Sequence, residues 1–257
     1  MAVSTDAYFS NAIQGVPQIA GDANIYQMDK MPRFAIGTKL KRQDGNVYRY
    51  SHFGADVGPG KLVSQDVSES SAAAVDMVLA SAADTTTDGT IGSKFIEIIG
   101  TATTDQYAGG YLCMEDEAGE GYTYRIKGNT VTGNPVASNY RIELYDKIQV
   151  AIVALSTGNI VGNLYSNLET ANTVDTFSSG VSVSNMDVSE AAFGWIQTEG
   201  IATLLTDGTV VLGSGNIIAA VTGATAPAVH TDIIERVATT LIVGGDGEYS
   251  TVRLTLS

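Results

Sequence analysis

Positive charge is the scarcest commodity in this chain. Of 257 residues only 14 are Lys or Arg, against 28 Asp and Glu, for a formal net charge of −14. Between Ile148 and Glu235 there is no cation at all, although Glu169, Asp175, Asp187, Glu190, Glu199, Asp207, Asp232 and Glu235 all fall there. Such a chain repels nucleic-acid phosphates and anionic membrane surfaces, so neither is expected as a partner. The single cysteine, Cys113, excludes an internal disulfide framework and reads as a small buried hydrophobe. Two histidines, His52 and His230, leave no zinc-ligand pattern and no base placed beside a nucleophile. A G-x-S-x-G elbow, a Walker A loop and a G-x-G-x-x-G after a strand are all missing. No enzymatic activity, no cofactor and no metal are therefore expected. Aromatics are 7% with one tryptophan, which is thin for the sugar platforms of a glycosidase groove, even though 28 carboxylates always include pairs at suitable spacing. No segment approaches the roughly 20 apolar residues that span a bilayer. Residues 1–10 lack the basic region and apolar run of a signal peptide. The expectation is assembly in a cytosol, with export only as part of something larger.

What is present is β-forming. Hydrophobic residues make up 44% of the chain, enough for a real core, and 28 glycines punctuate it. Residues 1–33 read as an extended N-terminal arm, with Pro17 and Pro32 holding their neighbours in extended geometry. Residues 34–155 read as a β domain, 156–189 as a connecting segment, and 190–257 as a C-terminal β region, either separate or part of the same barrel. The runs 35–42 and 46–53 flank Asp44-Gly45 and predict a hairpin with a type I′ turn. A second hairpin is predicted from 111–115 and 122–127 around Gly119-x-Gly121. Strands are also expected at 91–100 and 141–155, the run 150–155 being apolar enough for a fully buried strand. Residues 66–83 are Ala-rich and fit a short helix or a strand. In the final third, strands are expected at 193–198, 201–205, 209–212, 216–220, 240–243 and 250–256, with turns at Asp207-Gly208 and 245–247. Short, evenly spaced strands predict an all-β, antiparallel sandwich or barrel.

Half of all the cations, Lys30, Arg33, Lys39, Lys41, Arg42, Arg49 and Lys61, lie in the N-terminal quarter. They fit either a docking surface for an acidic partner or the solvent face of a hairpin. Trp195, inside Gly194-Trp195-Ile196-Gln197, fits a ligand anchor, a subunit contact or core packing, the last two being favoured. Arg33, Lys39, Lys41, Arg42, Arg49 and Trp195 are thus the candidate partner interface. Glu115, Asp116, Glu117 and Glu120 crowd one hairpin tip, where they read as a solvated acidic turn with a Ca²⁺ site as the alternative.

The blocks 107–112 (YAGGYL), 119–129 (GEGYTYRIKGN) and 194–202 (GWIQTEGIA), followed by Asp207-Gly208-Thr209, Gly213 and a close from Gly244-Gly245 to Leu256, resemble virion proteins of tailed phages, especially marine and cyanobacterial ones. The matching blocks cover roughly 34–53, 105–155 and 190–257, and none is a catalytic motif. The resemblance implies a capsid decoration (cement) protein on a phage head. It would bind the major capsid protein as a homo-oligomer such as a trimer, be assembled in the bacterial cytoplasm and be located in the virion. A tail or spike module that binds a host receptor or glycan is the alternative. No functional residue is carried over.

Overall fold

The structure, a computed structural model, describes residues 23–66, 88–133, 138–153, 156–171, 178–189, 192–219, 222–227 and 236–256, together with the backbone of strands at Gln18–Ile19 and Val75–Val78. Among the described residues every regular element is a strand, so the molecule is all-β. Two compact units emerge: residues 1–66 with 165–257, and residues 67–164 inserted between them. The boundaries read from sequence, at 33, 155 and 189, do not coincide with this division. The first unit holds β1 (Gln18–Ile19), β2 (Lys39–Lys41), β3 (Val47–His52) and β4 (Leu62–Gln65). The insert holds β5 (Val75–Val78), β6 (Phe95–Ile99), β7 (Tyr111–Asp116), β8 (Thr123–Asn129), β9 (Asn139–Leu144) and β10 (Thr157–Val161). The chain then returns to the first unit with β11 (Leu168–Thr170), β12 (Gly180–Ser182), β13 (Phe193–Leu205), β14 (Gly215–Ile218), β15 (Thr225–Pro227), β16 (Ala238–Ile242) and β17 (Tyr249–Thr255). The segment expected to be a connector thus carries three strands, one in the insert and two in the first unit.

The insert is a closed antiparallel barrel in the order β10-β5-β6-β9-β8-β7. Its strands keep the two-residue period that a single buried face requires. In β8, Tyr124 and Ile126 are buried while Thr123, Arg125 and Lys127 are exposed. The inward residues of β6 to β10, among them Ile98, Leu112, Ile142 and Ile160, form one core. Burying each such side chain is worth about 1.5–3 kcal/mol. Cys113 faces outward and is only half-buried, unlike its inward neighbours Leu112 and Met114.

Both ends of the barrel are closed by its own connections. β6 pairs antiparallel with β9, Ile99 opposite Asn139 and Phe95 opposite Glu143, so the two strands end at opposite mouths. The chain leaving β6 buries Ala102 and Tyr107, and the chain leaving β9 buries Ile148 and Ile152, all in the same core. This corrects the strand expected over 141–155. The strand stops at Leu144, and the next residues cross the mouth with Ile148 and Ile152 turned in and Ala151 and Val153 out. Asn129 pins the other closure: its Oδ1 accepts the Tyr107 N–H at 2.9 Å, and its Nδ2 donates to Thr103 O at 2.7 Å. On the barrel wall Arg141 grips the buried carboxylate of Asp88 through Nε and Nη2, both at 2.7 Å, and lies 4.0 Å over the Phe95 ring. Within 66–83 the segment Val75–Val78 is strand; residues 67–74 and 79–83 lie outside the described residues.

The first unit is built around β13. This strand pairs with β3 along Phe193 to Glu199 and with β17 along Glu199 to Leu205. The sheet runs β1-β2-β3-β13-β17-β16-β14-β15, with β4, β11 and β12 joined beside it. All its strand pairs are antiparallel except β1 with β2. The two strands expected at 193–198 and 201–205 are one strand bent at Gly200, whose φ of +96° only glycine adopts readily. The first half of β13 is buried on both faces. Trp195 packs with Ile25, Leu40, Tyr48 and Tyr50 on one side, and Ile196 with Phe53, Val63, Leu168 and Met186 on the other. The second half buries Ala202 and Leu204 on one face and leaves Ile201 and Thr203 exposed on the other.

The β2–β3 hairpin forms where Asp44-Gly45 placed it, with a different turn. The Gly45 N–H donates to Arg42 O at 3.1 Å, and only Gly45, at φ +88°, is left-handed. That is a three-residue loop ending in a left-handed glycine rather than a type I′ turn. The expected strand at 209–212 is a loop, held to β16 by Gly213 N–H to Thr240 O at 2.8 Å. The second part of the expected arm belongs to the body. Ile25 is buried in the Trp195 core, and Asp29 bridges Phe193 by two backbone hydrogen bonds of 2.8 and 3.0 Å. Residues 1–17 and 20–22 lie outside the described residues.

Candidate functional site

The six residues expected to form a partner surface do not converge on one. Trp195 is 2% exposed and sealed in aromatic packing, 5.2 Å from the Tyr50 ring and 5.5 Å from Phe34. It is a core residue and offers nothing to a partner. Arg49 points to the opposite face of β3, where it stacks 5.3 Å over Tyr165 and donates from Nη1 to Gly37 O at 3.0 Å. Lys39 pairs with Glu199 at 3.7 Å, and Arg42 lies 5.6 Å over the Tyr48 ring. Lys41 and Arg33 are exposed, Arg33 within 3.6 Å of Asp29. The hairpin's cations therefore divide between internal props and a solvent face.

Beneath them lies a polar joint that sequence reasoning missed. Tyr50 donates its hydroxyl to Asp29 Oδ2 at 2.7 Å and accepts the Arg33 N–H at 3.2 Å. Burial pushes its ionisation well above the usual tyrosine range. Asp29 and Tyr50 are 21 residues apart, and no short motif announces the pair. A second joint holds the β13 bend. Asn46 Oδ1 accepts the Ile201 N–H at 3.0 Å, and Gln197 Nε2 donates to Glu199 O and Ile201 O at 3.1 and 2.9 Å.

Where the cover of residues 23–34 ends, an open cleft of about 620 Å³ lies on the sheet. Ile25, Tyr26 and the hairpin tip form one wall, and Ile201, Thr203 and Tyr249 line the rest. Its amides and carboxylate are tied to one another: Asp44 accepts from Asn46 N and Nδ2 at 2.9 and 3.1 Å. His52 lies on the other side of Tyr50 in β3, packed 4.9 Å from Phe193, with Nδ1 accepting the Asn167 N–H at 3.3 Å. Burial holds its pKa below the ordinary histidine value. His230 lies outside the described residues.

Among the described residues no three His, Cys, Asp or Glu side chains gather as a metal would need. At the acidic tip the groups act separately: Glu115 accepts from the Asn159 amide, and Asp116 caps the Glu117 N–H at 2.9 Å. Among the described residues no helix is long and apolar enough to cross a membrane.

The surface that stands out is an aliphatic corner at the Leu205 end of β13. Val211 and Leu212 on the loop are 62% and 67% exposed, and Leu241, Ile242 and Val243 at the end of β16 are also exposed, Ile242 at 64%. The Gly213–Thr240 hydrogen bond holds loop and strand together. Asp207, Asp246 and Glu248 rim the corner, Asp246 accepting the Gly208 N–H at 2.7 Å. Single exposed aliphatics are ordinary, whereas these five stand on two segments that one backbone hydrogen bond joins. No protein-family model, curated protein or solved structure matches the chain.

Proposed function

We propose that this chain is a non-enzymatic structural protein of a tailed-phage virion, a decoration (cement) protein that binds the major capsid protein shell as a homo-oligomer. The observation that carries the reading is the aliphatic corner of Val211, Leu212, Leu241, Ile242 and Val243, standing exposed on a rigid β body. A monomer at large in solution gains nothing from such a group, whereas a lattice component covers it. The resemblance of 107–112, 119–129 and 194–202 to phage virion proteins supplies the particle. The test is co-sedimentation of the purified chain with expanded, undecorated shells of the cognate phage. Saturable binding is expected; a chain left in the supernatant at all ratios overturns the reading. Deleting residues 1–17 is the cleaner probe of the arm, because removal through Met31 would strip Ile25 and Asp29 from the body. Loss of attachment with the fold intact is expected.

A second reading, a receptor- or glycan-binding module, is favoured by one feature of the barrel. Tyr111, Arg125 and Tyr145 form an exposed row across its wall, Arg125 lying 5.0 Å over the Tyr145 ring. Binding on a glycan array that disappears in Tyr145→Ala would establish it, and a blank array would discard it.

A further inference from the structure

We infer that the cleft at the end of the 23–34 cover binds a neutral oligosaccharide. The inference shares its ligand class with the second reading above but places the ligand on the first unit, and it does not rest on attachment to a shell. The cleft is fixed on both sides. At the hairpin tip, Asn46 accepts the Ile201 N–H through Oδ1 at 3.0 Å and donates to Asp44 through Nδ2 at 3.1 Å, which ties the tip wall to the floor. Tyr249 is held by its own neighbours. Its hydroxyl donates to Pro59 O at 3.3 Å, and its ring lies so close to Gly60 that a Cβ there would come within 2.7 Å of it. The side chain is still 45% exposed, and Tyr26 on the tip wall is 65% exposed. A site already in shape loses little order when a ligand enters it.

The lining selects the ligand. Two exposed tyrosine rings and the exposed Ile201 offer flat apolar surface, which the C–H face of a pyranose covers. On the floor Thr203 stands directly opposite Thr251. Among the described residues the hydroxyls of Thr203, Thr251 and Tyr26 make no side-chain hydrogen bond, and each both donates and accepts. Arg42 adds donors only: its guanidinium rests 5.6 Å over the Tyr48 ring and forms no ion pair among the described residues. Asp44 adds an acceptor. Sugar hydroxyls alternate as donors and acceptors, and this mixed set answers them.

Other occupants fit the lining poorly. Arg42 and Asp44 are the only charged residues that line the cleft, so it offers no net charge to a phosphate or an acidic polymer, and the chain at −14 repels both. A peptide strand needs a free backbone edge, whereas β13 is paired to β3 and β17, and β17 to β13 and β16. The volume of about 620 Å³ falls within the roughly 300–1,000 Å³ of sites that take small ligands.

The test is native affinity electrophoresis of the full chain through gels that hold dextran, mannan, galactan or β-glucan. Calorimetry with oligosaccharides cut from the retarding polymer then gives the affinity. Retardation by at least one polymer is expected, unchanged between about 50 and 500 mM NaCl because no net charge is engaged. Tyr249→Ala and Arg42→Ala should each weaken binding at least about tenfold. Tyr249→Phe keeps the ring and should keep most of the affinity. Thr203→Val, which suits an exposed strand position, should weaken binding severalfold with the fold intact. Tyr145→Ala on the barrel should change nothing. A chain that runs freely through all four gels overturns the inference. So does retardation that survives Tyr249→Ala and Arg42→Ala, or that appears only in polygalacturonate. Loss in Tyr145→Ala alone also overturns it and moves the ligand to the barrel. A chain that binds shells and no sugar loses this inference and keeps the proposed function.

Discussion

A strand of the barrel shows its apolar residues to one side only: β8 alternates Tyr124 and Ile126 inward with Thr123, Arg125 and Lys127 outward. In the first half of β13, successive residues Trp195 and Ile196 enter two different cores. The difference comes from closure. A closed barrel has one interior and no free edge, so one face suffices and the period stays clean. An open sheet covered on both sides needs a strand that is buried throughout, and it leaves edges and corners elsewhere. In this protein the first half of β13 is covered on both faces, and its second half, with the corner beside it, leaves Ile201, Thr203, Val211, Leu212 and Ile242 exposed.

The sharpest way to break that comparison is Trp195→Ala. Emptying the joint between Phe34, Tyr50 and Tyr48 should cost about 3–5 kcal/mol. Amide hydrogen exchange should quicken across β3, β13 and β17 while the barrel strands keep their protection. Equal acceleration in both units would mean they unfold as one body. Next in size is Arg141→Ala in the barrel. It strands the buried Asp88 carboxylate and removes the cover of Phe95. A loss of about 2–3 kcal/mol in urea titrations is expected, with Asp88→Asn in the same chain restoring part of it. An unchanged midpoint would show that water reaches Asp88.

Gly200→Ala probes the bend that separates the covered half of β13 from the open one. A Cβ there would run into Asn46 Oδ1, at a φ of +96°. A cost of about 1–2 kcal/mol is expected, smaller than for Trp195 because Asn46 can swing away. A neutral result would mean that the bend relaxes. The smallest effect concerns pH. His52 lies in the first unit, and the inserted residues 67–164 contain no histidine. Burial lowers the pKa of His52 in the folded state, so the unfolded chain takes up its proton first as pH falls. Stability of the first unit should therefore be complete above the ordinary histidine range and decline as pH drops from there toward the lowered folded value. His52→Gln should flatten that part of the profile, and a slope that survives the substitution would place the cause elsewhere.

Several elements are legible from sequence because their causes are local. Asp44-Gly45 marks the first hairpin, Gly119-x-Gly121 marks the second, and alternation in 122–127 and 250–256 marks β8 and β17. The exact turn at Gly45 is not legible, since a type I′ loop and a three-residue loop share the same residues. The apolar run 150–155, described as far as Val153, misleads because a segment crossing a barrel mouth and a buried strand are equally apolar. Trp195 fits packing by its residue type, yet its place in the candidate interface fails. Its burial depends on Ile25 and Phe34, more than 150 positions earlier, which no window spans. The aliphatic corner is invisible for the same reason: Val211-Leu212 and Leu241-Ile242-Val243 each resemble a strand, and only their meeting at one exposed place sets them apart.

By itself, then, the sequence determined an all-β chain with glycine turns and a cation-free middle. These are properties of composition and of neighbours within a few residues. Tertiary structure alone decided that a barrel interrupts a sheet, that one strand would be buried on both faces along half its length, and that the loop of Val211-Leu212 would be tied to the end of β16 by the Gly213–Thr240 hydrogen bond. Those outcomes depend on pairings between residues far apart in the chain, whose loop-closure cost is recovered only when the whole sheet and barrel close.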